Sequence, residues 1–202
     1  MRERTRVPQA LMRGRLLERA IGYALTAVQA VTPQMLARAT PCESWDLDML
    51  MLHLGDSLDA LHEGMSIGQV ETVPPQAEPV DDPVSALRVR AVRLLKVSAA
   101  RRTVTIGDRR LAGGLVAAAG AIEVAVHGWD LSQATGEGRP IPPDLADELM
   151  AFCPLVVPET RSPLFAEPVE PGPRAGPGDR LVAYLGRRPA DTAPPSRRTP
   201  TE

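Results

Sequence analysis

The chain has 202 residues, enough for one domain with a sizeable core or one domain with a small annex. Its hydrophobic fraction of 44%, charged fraction of 24% and net charge of −2 exclude a chain disordered throughout and argue against a nucleic-acid binder, which carries a basic excess. Two cysteines, Cys42 and Cys153, rule out a disulfide scaffold, and 3% aromatic content argues against a stacking platform for bases or sugars.

The first helix is expected over Pro8 to Val31, where Leu17, Ile21, Ala24, Leu25 and Val28 form one apolar stripe. Thr40 to Trp45 reads as a turn into a second helix. Asp46 is its N-cap, because its carboxylate can accept the free amides of the first turn. Trp45 and Leu50 take the N′ and N4 positions of a hydrophobic staple. The stripe continues through Leu54, Leu58 and Leu61 to an end near Gly64. A Pro-rich loop follows over 66–83, then a third helix from about Asp82 to Arg101 with a basic side that reads as a solvated face or a docking surface for an anionic substrate. Thr103 to Asp108 is a β-like connector with a turn. The fourth helix, about Arg110 to Ala134, is crowded with Ala and Gly, so it belongs in the middle of a bundle where neighbours approach closely. Gly136 and Gly138 end it. A fifth helix opens at Pro142-Pro143-Asp144 and runs to about Cys153; a short sixth covers Asp179 to Leu185 and stops at Gly186. The expected architecture is all-α: a four-helix up-and-down bundle over 8–138, a Pro-rich C-terminal extension over 139–188 carrying one or two short helices, and a disordered tail over 189–202. No run of 18 apolar residues suggests a membrane span, and the N-terminus lacks a signal-peptide core, so a soluble, cytoplasmic protein is expected.

There are three histidines. His127 lies in Glu123-Val-Ala-Val-His127-Gly-Trp-Asp130. At about 100° per residue, His127 falls about 40° from Glu123 and Asp130 about 20° on the other side, so all three share one narrow face. Val116, Ala119 and Gly120 precede them on that face, and polar groups at the end of an apolar channel must be paired, ligated or hydrated. His53 flanks the buried stripe of the second helix and can point inward. His53, Glu123 and His127 together offer the N/O donor set of open catalytic zinc sites. Spacing alone, however, fits a surface or capping pair more often than a ligand set. His62 reads as a solvated or helix-dipole partner. Trp45 and Trp129 read as core residues or site walls. Cys42 and Cys153 read as small buried hydrophobes, with a stabilised thiolate at Cys42 as the other reading.

Thr40-Pro41-Cys42-x-x-Trp45 followed by Leu50-x-x-His53 resembles the start of the DinB/YfiT-like superfamily in its actinobacterial branch, which includes the mycothiol-dependent maleylpyruvate isomerases. Glu123-x-x-x-His127-Gly-Trp-Asp130 resembles the second signature of that family, and Gly178 to Pro189 resembles its C-terminal element. The resemblance implies a bundle holding a divalent metal, usually zinc, on His53, Glu123 and His127, with Asp130 as a catalytic-site residue orienting a ligand. It implies mycothiol as cosubstrate and a small electrophile as substrate, in an S-transferase or isomerase reaction. A non-catalytic metal-binding accessory protein and a zinc-hydroxide hydrolase stand as alternatives. Expected partners are the thiol and the electrophile, with neither nucleic acid nor membrane, in a monomer or homodimer.

Overall fold

The computed structural model describes residues 6–71, 82–97, 101–162 and 165–189, with side chains from Arg15 onward. Residues 190–202 of the expected tail, residues 72–81 of the Pro-rich loop and residues 98–100 lie outside the described residues; the third helix, expected to reach about Arg101, ends at Leu95, with Lys96 as its C-cap and Arg101 outside any helix. The six helices are α1 (Arg6–Val28), α2 (Leu47–Ser66), α3 (Pro83–Leu95), α4 (Gly113–Thr135), α5 (Pro143–Val156) and α6 (Pro177–Tyr184). A short 3-10 turn, Pro33–Met35, follows α1.

Helix α4 is central. It packs against α1 most extensively, then α2 and α5, while α3 closes the ring by packing on α2 and α1. The apolar stripes meet as their spacing requires: Ile21, Ala24 and Val28 of α1, Leu50, Leu54 and Leu58 of α2, and Ala121, Val124 and Ala125 of α4 are all buried. Small residues set the helix separations. A Cβ on Gly128 would sit 2.9 Å from the Cα of Ala24, and one on Gly120 would overlap the Leu61 side chain. Asp46 caps α2 as expected, accepting from the Met49 amide at 2.9 Å. Gly136 ends α4 in the left-handed conformation, φ +85°.

The structure departs from the expected pattern between α3 and α4. Residues 109–112 are not the first turn of α4 but a return strand. A three-stranded sheet forms from β1 (Gln69–Val70), β2 (Thr103–Ile106) and β3 (Arg109–Ala112), with β1 parallel to β2 and β2 antiparallel to β3. Ile106 pairs with Arg109, leaving Gly107-Asp108 as a two-residue turn. Gly107 at φ +58° supplies the positive torsion such a turn needs. Helix α4 then starts at once, at Gly113, which passes so close to Arg101 that a Cβ there would lie 1.8 Å from its carbonyl oxygen.

Helices α2 and α4 run antiparallel and are tied at both ends. At one end the Arg101 amide donates to the Met65 carbonyl and β1 joins β2. At the other, Arg38 donates to the carbonyls of Ala134 and Thr135, where its charge also complements the end of the α4 dipole. Helix α5 extends past Pro154 to Val156, three residues beyond the expected end, with the Val157 amide still closing onto Cys153. Helix α6 packs on α5, and Gly178 approaches the Ile141 backbone closely. No described helix is long and apolar enough to cross a membrane.

Two glycines make opposite predictions. Gly22 sits on α1 with nothing near its Cβ position, so Gly22→Ala should raise stability by about 0.5–1 kcal/mol in urea unfolding. Gly128 faces the α1 backbone, so Gly128→Val should lower stability by about 1–3 kcal/mol in the same measurement.

Candidate metal centre

Helix α2 presents His53 and helix α4 presents Glu123 and His127 to one point. One donor atom from each lies within 4.8 Å of the others. The sequence named these three residues, and the structure brings all three together. His53 Nε2 is 2.7 Å from Glu123 Oε1, and His127 Nε2 is 3.2 Å from the same oxygen. Ser57, one turn after His53, donates its hydroxyl to that oxygen at 3.3 Å. His62 stays outside the cluster.

Behind the cluster, His127 Nδ1 is 3.0 Å from Asp130 Oδ2. Ionised Asp130 can only accept, so Nδ1 carries a proton and donates it there. That fixes the tautomer: in a neutral His127 the free lone pair is on Nε2, which faces Glu123 and His53. Asp130 is fully buried, yet it is not bare, because Arg187 Nη2 donates to Oδ2 at 2.9 Å and Arg187 Nε to Oδ1 at 3.4 Å. Asp130 thus reaches the cluster only through His127.

Sequence reasoning missed Arg187 and Ser57. Arg187 lies just after α6, 57 residues from Asp130, and no periodicity links them. Two signals were available: the Gly178 to Pro189 element, which contains Arg187 without giving it a role, and Asp130 itself, since a carboxylate on the inner face of a buried helix requires a cationic partner. Ser57 was legible only as the residue one helical turn beyond His53.

Trp45 forms a wall of the cluster. Its ring centroid lies 4.6 Å from that of His53 and 6.0 Å from that of His127. Trp129 is buried in the core. Cys42, in the loop before α2, is half-buried; burial raises its thiol despite the nearby Arg187 charge, which disfavours the thiolate reading. Cys153 is a buried hydrophobe whose thiol donates to the Leu149 carbonyl, and burial pushes it up to about 11.

The electrostatics follow from the contacts. Burial alone would push the Glu123 carboxyl up, but hydrogen bonds and charge from His127 and His53 outweigh it and hold the carboxyl well below its ordinary range. Burial alone would lower His127, but hydrogen bonds to Asp130 and Glu123 raise it to about 9. Protonated, its ring bridges two carboxylates; neutral, it offers Nε2 as a ligand on a donor already aimed and backed by a carboxylate. Two imidazoles and one carboxylate on two helices are donors suited to a zinc-type cation with a position left open. The donor set therefore fits such an ion.

Residues 17–132 match the model of the mycothiol maleylpyruvate isomerase N-terminal domain family. The chain belongs to that family. The matched span contains Trp45, His53, Glu123, His127 and Asp130 but not Arg187. The chain is also 30% identical, over 165 residues, to two uncharacterized proteins of Mycobacterium tuberculosis, one from strain CDC 1551 / Oshkosh and one from strain ATCC 25618 / H37Rv. Each match covers 78% of this chain and 87% of the relative.

Two outcomes are expected for this member of the mycothiol maleylpyruvate isomerase family. Arg187→Ala strands a fully buried carboxylate and should cost about 3–5 kcal/mol in denaturant unfolding. In chelator-treated protein, His127 binds its proton more tightly folded than unfolded. Its contribution is therefore fully present below the ordinary histidine range and is lost as pH rises through about 9. Melting temperature should fall over that interval, and His127→Gln should flatten the fall.

Proposed function

We propose that the protein is a metal-dependent enzyme that uses mycothiol or a similar low-molecular-weight thiol in an S-transfer or isomerisation of a small electrophile. The observation that carries this reading is the convergence of His53, Glu123 and His127, with the rear nitrogen of His127 committed to Asp130. Membership of a mycothiol-related family supports the choice of thiol. A zinc ion held by this set lowers the pKa of a thiol bound beside it and so supplies a thiolate at neutral pH.

The chain's own residues do the rest. Two neutral imidazoles and one carboxylate leave a divalent ion with one surplus positive charge, which favours an anionic thiolate over a neutral thiol. Asp130 keeps His127 in the tautomer that presents Nε2, and Arg187 holds Asp130 in place. Ser57 holds Oε1 of Glu123 from the side of α2. The thiolate sulfur bonds to one carbon of an activated double bond as the π pair moves onto the electron-withdrawing group conjugated with it. If that pair returns after rotation about the former double bond, the double bond re-forms and sulfur leaves as the thiolate, which is isomerisation. If the carbanion instead takes up the proton that the thiol gave up, the product is a thioether adduct, which is S-transfer.

Metal analysis tests the ligand set. The purified chain should carry close to one zinc, and His53→Ala or His127→Ala should carry well below one. Thiol consumption with a panel of electrophiles tests the reaction. It should fall in the same variants by more than the ~10–100-fold that loss of an outer partner costs. Turnover without thiol would instead make the protein a hydrolase, and zinc bound without any thiol chemistry would make it an accessory protein.

A further inference from the structure

The two imidazoles of the cluster are held by different means. His127 is fixed from behind by Asp130. His53 is fixed in front by Glu123, and its flank rests on an indole: Trp45 lies 4.6 Å away at an interplanar angle of 60°. The same indole lies nearly parallel to His127, at 24° and 6.0 Å, while the two imidazoles meet edge-on at 5.1 Å and 83°. Trp45 is therefore a shared wall for both rings. His53 needs it more, because 39% of its side chain is accessible, and a half-exposed side chain retains rotamer freedom that must be lost before it can act as a ligand.

Trp45 is itself held. It ends a loop closed three times: the Thr40 amide and the Thr40 hydroxyl both donate to the Trp45 carbonyl, and the Trp45 amide donates to the Cys42 carbonyl. Ser44 accepts a left-handed φ of +68° inside this loop, a conformation that persists only where the surroundings enforce it. Arg38 then ties the start of the segment to the end of α4, the helix that carries Glu123 and His127.

We propose that Trp45 is a positioning residue that holds His53 in its ligating orientation beside Glu123 and His127. The proposal rests on the metal-centre reading above. Tilted and stacked aromatic pairs hold one another by more than the area they bury, so a ring is required at this position and bulk alone does not suffice.

The test measures zinc affinity of the full chain by chelator competition, together with the visible absorption of the cobalt(II)-loaded protein. Trp45→Phe keeps a ring and should bind zinc within about threefold of wild type. Trp45→Leu keeps apolar bulk and should bind about tenfold or more weakly, with an altered cobalt spectrum and an unchanged far-UV circular dichroism spectrum after chelation. If Trp45→Leu does not fold, Thr40→Val, which loosens the loop but leaves the indole, is read in its place and should weaken zinc severalfold. Leu at position 45, or Val at position 40 where it stands in, giving wild-type affinity and spectrum overturns the proposal while leaving the metal centre intact. Equal losses in the Phe and Leu variants overturn it too. A wild-type chain that takes up no zinc overturns the metal reading and this proposal with it.

Discussion

A buried carboxylate cannot be left alone, and much of this molecule is arranged around that constraint. Asp130 has no contact with solvent, so its charge must be balanced inside the protein. Arg187 supplies the balance from the C-terminal extension and His127 supplies a hydrogen bond from the same helix. Each of these contacts has a second effect. The first pins the chain after α6 to the bundle. The second chooses which nitrogen of His127 faces Glu123 and His53. One charge therefore links tertiary assembly to the chemistry the site can perform.

The position of that charge depends on α4 being thin. Gly120 and Gly128 let Leu61 and Ala24 come to distances that any Cβ would forbid. With neighbours this close on two sides, His127 and Asp130 are buried in the bundle and Glu123 is half-buried beside them, although each Gly costs the helix about 1 kcal/mol relative to Ala. Packing supplies what propensity does not. The result is a helix whose polar residues have few alternative places to go, which is what a site with fixed geometry needs.

Much of this was legible in the sequence because helices advertise their buried face by spacing. The stripes of α1 and α2, the Asp46 cap and the Gly136 stop all appear where residue type and period put them. The grouping of Glu123, His127 and Asp130 was legible for the same reason: one helix carries them within two turns. The addition of His53 needed a second helix and came from its place beside an apolar stripe. What was not legible depended on partners distant in the chain. Arg109 to Ala112 carry no strong strand signal and become a strand because β2 offers them a ladder. Arg187 is one of many arginines until Asp130 is seen to need it. Trp45 fitted the hydrophobic-staple position equally well, and only the packed structure turns its ring toward two imidazoles.

The small sheet has a bearing on how this scaffold can vary. It fastens the residues just after α2 to those just before α4, so the two helices that carry the candidate ligands are joined almost directly, and α3 together with residues 71–102 becomes an excursion with both ends clasped. Closing such an excursion costs little more as it lengthens. Changes to the outer face of α3 can then accumulate without disturbing the spacing between His53 and Glu123, while its inner face stays bound to the bundle through Leu87, Ala91 and Leu94. The clasp separates an outer surface open to change from the helices that must stay in register.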